Sequence, residues 1–186
     1  MKGTAINMST YKELEKTAKE CGFTHCAQLD ISTLEFRQDI RDMCNPEKCR
    51  SYNKSWSCPP ACPSLDEVQE HVKSYKSGII VQTVGELEDS MDWDGIMETG
   101  ARHKENFGKM REALDKIHPK LLAMGAGECK ICEECTYPQK PCRFPDKMET
   151  SMEAYGLFVS KVCTDNDLGY NYGQEKIAFT SCFLFK

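Results

Sequence analysis

Apolar side chains recur at helical spacing along several stretches of the chain, and three of these stretches open with the same pair of residues. A hydroxyl residue is followed three positions later by glutamate, which is the capping box that begins many helices. We therefore predict a helix after each box. The boxes are formed by Thr10 with Glu13, Ser64 with Glu67, and Thr150 with Glu153.

The apolar positions inside each stretch set the expected course of the helices. The first helix should stop at Gly22, because glycine suits the left-handed turn after a helix. A further, longer helix should be kinked or restarted at Pro119, which lacks an amide proton. The apolar positions of this long helix are Phe107, Met110, Leu114, Ile117 and Leu121, and those of the last helix are Met152, Tyr155, Val159 and Val162.

Strands are predicted where β-branched and aromatic residues gather. Residues 78–84 and 177–185 predict two strands, and residues 25–29 predict a weaker third. Two long stretches show no periodicity: residues 42–63, here named the first cysteine loop, and residues 125–146, the second cysteine loop. We predict a single α/β domain over residues 1–186, in which helices cover a small mixed sheet and the two cysteine-rich loops bind metal.

Cysteine usage points to metal chemistry. The chain has 12 cysteines, of which eight fall in the two cysteine loops. The N-terminal segment lacks the apolar stretch of a signal peptide, and no later apolar run approaches the length of a membrane span. We therefore expect a cytoplasmic protein without a membrane partner. Thiols stay reduced in that compartment, so metal ligation explains the cysteines better than disulfides do.

The second cysteine loop carries the sharper metal-binding pattern. Cys129, Cys132 and Cys135 follow C-x2-C-x2-C spacing, and Cys142 comes after six more residues. Three thiolates at this spacing can bind three irons of a cubane, and a fourth thiolate closes it. Structural zinc usually takes two separated pairs, so the triplet favours an iron-sulfur cluster over zinc. The spacing leaves open whether Cys142 serves this cluster or a neighbouring one.

The first cysteine loop has a less standard spacing. Cys44, Cys49, Cys58 and Cys62 follow C-x4-C-x8-C-x3-C, with proline directly after each of the last two cysteines. Proline restricts the chain, so this loop should lose less entropy when metal binds. In an alternative interpretation, one or two of these cysteines are only buried side chains, and Cys62 has the weakest support as a ligand.

Eight loop cysteines at four per cubane predict two 4Fe-4S clusters. Our leading hypothesis is an electron carrier that exchanges electrons with a redox partner protein and needs no bond-making residue. The alternatives are a zinc protein that acts as an interaction module, and a redox enzyme. In the enzyme, an iron of the first cluster that lacks a thiolate would bind the substrate.

The remaining features argue against other functions. A formal charge of -5 argues against a nucleic-acid partner, and the sequence has no P-loop, dinucleotide or hydrolase fingerprint. An acidic run over residues 86–94 is interpreted as a solvated connection into a helix, and the four histidines as surface or capping residues. Four cysteines outside the loops should pack in the core: Cys21, Cys26, Cys163 and Cys182. Of these, Cys21 and Cys26 are also candidate replacement ligands for the metal.

Four short motifs resemble a known family. They are W-S-C-P-P at residues 56–60, G-A-G-x-C-x2-C-x2-C at 125–135, P-C-R-x-P at 141–145 and S-M-E-A-Y-G at 151–156. The combination resembles small prokaryotic proteins known as predicted metal-binding proteins of unknown function, which are common in anaerobes. The resemblance implies metal binding, with a reductive or corrinoid-linked anaerobic pathway as the expected setting. The implied ligands are Cys44, Cys49, Cys58, Cys129, Cys132, Cys135 and Cys142.

Overall fold

The computed structural model of the protein describes residues 8–186, and its five strands form one mixed sheet. The strand order is β1-β2-β5-β3-β4. All neighbouring pairs are antiparallel except β3 and β4, which are parallel. The strands are β1 (His25–Leu29), β2 (Ser77–Glu86), β3 (Leu122–Gly125), β4 (Thr150–Ser151) and β5 (Lys176–Phe185). The α/β prediction of a small mixed sheet covered by helices is confirmed.

Five α-helices and two short 3-10 turns connect these strands in the described part of the chain. Helix α4 is the longest and packs against β2 and β5. Helix α2 leads directly into the first cysteine loop, and β3 ends where the second begins. The helices are α1 (Met8–Glu20), α2 (Gln38–Arg41), α3 (Leu65–Val72), α4 (Trp93–Asp115) and α5 (Val159–Asp165), and the 3-10 turns are Ile31–Thr33 and Pro145–Lys147.

Alternation along the central strands divides the core into two layers. Successive side chains of a strand point to opposite faces of a sheet. Ile80 and Cys182 therefore face one layer, whereas Ile79 and Phe183 face the other. The first layer also takes side chains from α3 and α5, and the second from α1 and α4. Because helices cover both faces, β2 is buried along most of its length and β5 over its last six residues.

Only one of the three capping-box predictions is correct as a helix start. Ser64 accepts a hydrogen bond from the Glu67 amide, and the Glu67 carboxylate accepts one from the Ser64 amide, so α3 begins as predicted. The other two predictions are wrong. Helix α1 is already formed at Met8, which places Thr10 inside it. Thr150 lies in β4, where it pairs with Met124 of β3, and the next helix begins only at Val159.

The long predicted helix is shifted toward the N-terminus. Helix α4 begins after Asp92, whose carboxylate accepts from the Gly95 amide, which confirms that the acidic run leads into a helix. The helix ends at Asp115, so Ile117 and Pro119 lie outside it. The next apolar residues form β3, which the periodicity did not predict. None of the helices within residues 8–186 combines the length and the apolar character needed to cross a membrane.

Candidate metal centres

The two cysteine loops lie against each other. The Trp56 indole Nε1 in the first loop donates to the Lys140 carbonyl in the second at 3.0 Å. The Trp56 ring also packs edge-on against Tyr137, with 4.9 Å between ring centroids. The Tyr137 hydroxyl in turn donates to Asn53 Oδ1 at 2.5 Å. These contacts join two segments that lie far apart in the sequence, so the predicted metal-binding loops are neighbours.

Arg41, the last residue of α2, anchors the first cysteine loop. Its guanidinium donates to the Pro63 carbonyl at 2.7 Å, to the Ala154 carbonyl at 2.8 Å and to the Cys62 carbonyl at 3.2 Å. The same group lies 3.4 Å from Cys62 Sγ. Spacing could not have singled out this residue, since its role depends on contacts with the far end of the loop. Arg41 therefore fixes Cys62 and places a positive charge beside its sulfur.

The four cysteines of the first loop share one neighbourhood. Burial raises the pKa of Cys44 to about 11, and repulsion from Cys49, Glu153, Cys58 and Cys62 acts in the same direction. Burial also raises the pKa of Cys62, although Arg41 opposes this shift. Cys44 and Cys62 are therefore held as protonated thiols in the absence of metal, and metal binding must release their protons.

Glu153 adds a carboxyl group to this neighbourhood. The Glu153 residue is exposed at the surface, and desolvation of its carboxyl by the surrounding protein atoms raises the pKa of Glu153. The charge of Glu153 acts on both Cys44 and Tyr170. Sequence reasoning treated Glu153 only as a capping residue, which was wrong. Its correct position depends on the turn that follows β4, which no local pattern revealed.

The second cysteine loop brings its four cysteines around one cavity. Cys129, Cys132, Cys135 and Cys142 all line a space of about 230 Å³. Cys142 also acts electrostatically on Cys129, which groups it with the predicted triplet. Burial raises the pKa of Cys129. The closely spaced signal in the sequence therefore corresponds to a single concave group of thiols.

Basic side chains hold the second loop in place. Lys104 reaches from α4 and donates to the Glu128 carbonyl at 2.5 Å, and its charge acts on Cys129. Arg143 donates to the Glu134 carbonyl at 2.7 Å. Lys104 was missed by the sequence analysis because it lies on a helix outside the loop. Positive charge near the thiols favours their anionic form and offsets the negative charge of a thiolate-bound metal site.

A wide cleft separates the outer surfaces of the two loops. It has a volume of about 880 Å³, and one cysteine from each group lines it, Cys62 on one side and Cys142 on the other. Most of the remaining wall is apolar. The apolar side chains that line the cleft include Trp56, Pro60, Pro138, Pro141 and Met148.

The other four cysteines lie outside these groups. Cys163 and Cys182 are fully buried in the sheet core, as predicted. Cys21 follows the end of α1 rather than lying on it, and Cys26 lies on β1. Both are partly buried, and the charges that act on them come from Glu15, Lys19, Glu20 and Lys109, none of which belongs to a cysteine loop.

The cysteine thiols of the second loop have the donor chemistry that a metal group requires. Within residues 8–186, no three His, Cys, Asp or Glu side chains are arranged to ligate one metal ion. The four thiols around the second-loop cavity nevertheless form an all-sulfur donor set. Soft thiolates of this kind suit iron-sulfur clusters and zinc. The chemistry of the donors therefore fits a thiolate-bound metal group.

Together, the mixed sheet and the two adjoining thiol groups define a cysteine-rich α/β protein. A family model described as "Predicted metal-binding protein (DUF2284)" matches residues 27–185, and the chain belongs to this family. The match includes both cysteine loops and confirms the resemblance seen in the four motifs. No curated protein and no solved structure matches the chain.

Proposed function

We propose that this protein is a cytoplasmic electron carrier that holds two 4Fe-4S clusters. The first cluster would be bound by Cys44, Cys49, Cys58 and Cys62, and the second by Cys129, Cys132, Cys135 and Cys142. Both would work with a redox partner protein in anaerobic metabolism. The reducing environment of the cytoplasm keeps the eight thiols available as ligands.

The observation that carries this proposal is the contact between two loops that carry four cysteines each. One metal site is enough for a structural role, whereas two neighbouring redox sites make a path along which an electron can move. The Trp56 contacts with Tyr137 and Lys140 hold the loops together. The triplet spacing of Cys129, Cys132 and Cys135 adds support for iron, because it suits three corners of a cubane better than one tetrahedral ion.

The cleft between the loops supports the exchange of electrons with a partner. Cys62 and Cys142 bring one member of each thiol group to its wall. A partner that occupies this cleft would approach both sites at once. The protein itself would contribute ligands, insulation from water and positive charge around the sulfurs, while the clusters, when bound, supply the one-electron chemistry.

Metal analysis after anaerobic purification tests the proposal. The expected protein is brown and contains about eight irons per chain, four for each cubane. Cys132→Ser should lower this to about four irons. The matched control is Cys26→Ser, which changes a partly buried cysteine outside both loops and should keep the full iron content. A colourless protein with stoichiometric zinc would contradict electron transfer and favour the interaction module.

A second candidate function is a redox enzyme with an open iron in the first site. The observation that favours it is the Glu153 carboxyl, whose charge acts on Cys44 and which offers the first site an oxygen ligand or proton carrier. Cys62→Ser separates the two functions. If the iron content and the cluster spectrum stay unchanged, Cys62 is not a ligand and the enzyme is favoured. If four irons are lost, Cys62 completes the cluster and the carrier is favoured.

A further inference from the structure

One buried hydroxyl, that of Ser57, contacts both cysteine loops. Ser57 is 2% exposed and precedes Cys58 in the first loop. Its Oγ accepts a hydrogen bond from the Cys129 amide of the second loop at 3.2 Å and lies 3.8 Å from Cys58 Sγ. The Ser55 hydroxyl completes the group at 2.9 Å. Ser57 therefore contacts one residue of each proposed metal site.

The number of protons determines the direction of these hydrogen bonds. A hydroxyl has one proton and two lone pairs, and the Cys129 amide occupies one of the lone pairs. A metal-bound Cys58 is a thiolate and can only accept, so Ser57 is the donor in any hydrogen bond between the two. We assign the Ser57 proton to Cys58 Sγ, which makes Ser55 the donor to the second lone pair of Ser57. In this assignment the chain of donors runs from Cys129 through Ser57 to Cys58.

We propose that Ser57 is a positioning residue that couples the two metal sites and raises the reduction potential of the first one. This inference rests on the proposed function. Reduction adds negative charge to the sulfur ligands, and a hydroxyl that donates to Cys58 stabilises the reduced form more than the oxidised form. Stronger donation to Cys58 also makes Ser57 Oγ a better acceptor for the Cys129 amide, so the second loop responds to the charge of the first site.

Redox titration followed by electron paramagnetic resonance tests the effect on the potential. In Ser57→Ala, the reduction equilibrium of the first site should shift toward the oxidised form by roughly tenfold, or about 59 mV for a one-electron couple. Ser57→Thr keeps the hydroxyl and should restore most of the shift. Ser55→Ala removes a buried hydroxyl that does not contact Cys58 or Cys129, and it should change the equilibrium less. Equal shifts in Ser57→Ala and Ser55→Ala, or no rescue by threonine, would overturn the proposal.

Hydrogen exchange provides a readout that does not depend on electron transfer. Mass spectrometry of the peptide that contains Cys129 should show faster amide exchange in Ser57→Ala than in Ser55→Ala, because only the first change removes the acceptor of this amide. Equal exchange rates would show that the bridge does not form. If the purified protein contains zinc, the proposed function and the potential shift fail together, while the exchange comparison still decides whether Ser57 joins the loops.

Discussion

The two cysteine loops differ in how deeply they lie in the protein. In the first loop, Cys58 and Cys62 are only 8% and 4% exposed. In the second loop, all four cysteines are partly exposed. Each loop is also anchored to the body of the protein, the first by Arg41 and the second by Lys104 and Arg111 of α4, which donate to its backbone carbonyls. The loops therefore differ in how deeply their cysteines are buried rather than in whether they are anchored.

This difference suggests a division of work under the proposed function. A site shielded from water is held in a fixed environment, which allows hydrogen bonds such as that of Ser57 to set its potential. A site near the surface can exchange electrons with a partner. We therefore expect the first site to hold an electron at a potential that the protein sets, and the second site to exchange electrons with the partner. The following predictions test the parts of this comparison.

The largest effect is expected from Arg41→Ala. This change leaves the carbonyls of Cys62, Pro63 and Ala154 without their charged donor. We expect the free energy of unfolding to fall by about 3 kcal/mol, because hydrogen bonds to charged groups are the stronger ones. The first site should lose its metal while the second keeps about four irons. Iron analysis and denaturant unfolding measure both effects.

Arg102→Ala is the matched control for this prediction. Arg102 lies on the exposed side of α4 and donates to one carbonyl, that of Val84, outside both loops. Its removal should leave the iron content unchanged and cost at most about 1 kcal/mol. If Arg41→Ala retains full iron content and unfolds like Arg102→Ala, the first loop does not depend on its anchor.

A smaller effect is expected from protonation of His103, which lies in the scaffold shared by both loops. His103 is 1% exposed, and its ring nitrogens contact the hydroxyls of Thr83 and Ser181 at 3.0 and 2.8 Å. Burial lowers the pKa of His103 to about 4. Between pH 6.5 and 4 the unfolded chain therefore binds a proton that the folded chain does not bind. The resulting stabilisation is present above pH 6.5 and is lost as the pH falls.

Denaturant unfolding at two pH values measures this contribution. His103 alone should lower the free energy of unfolding by about 2 kcal/mol between pH 7 and pH 5. His103→Gln should remove this part of the pH dependence, whereas His71→Gln, on the exposed side of α3, should retain it. The same pH dependence in wild type and His103→Gln would show that the buried imidazole does not govern the acid stability of the scaffold.

Patterns among neighbouring residues in the sequence predicted more of the fold than of the candidate metal site. The Ser64 capping box was correct because all of its hydrogen bonds lie within four residues. The box at Thr150 was wrong because pairing with Met124 of β3 decides the conformation there. His103 was misplaced on the surface for a similar reason, since its two partners lie on β2 and β5. Tertiary contacts override local preference at such positions.

The candidate site shows the same limit. The spacing of Cys129, Cys132 and Cys135 identified a thiol group because their mutual distances are set by a few bonds of chain. The contributions of Arg41 and Glu153 could not be predicted, because both reach the cysteines through contacts that span much of the sequence. The contact between the two loops is of this second kind. The role of Trp56 in joining the loops appears only in the fold.

Trp56→Phe should produce the smallest effect and tests that junction directly. Phenylalanine keeps an aromatic ring against Tyr137 but loses the indole donor to the Lys140 carbonyl. The free energy of unfolding should fall by about 1 kcal/mol, the usual net value of one hydrogen bond. Trp93→Phe is the control, since Trp93 is 62% exposed and its replacement should change stability by less than about 0.5 kcal/mol.

Because the chain has only two tryptophans, the control variant also isolates the emission of Trp56. This emission should be quenched in the metal-loaded protein and should recover when a chelator removes the metal. Emission that is unaffected by metal removal would mean that Trp56 does not lie between the sites, and the two loops would then have to be treated as independent.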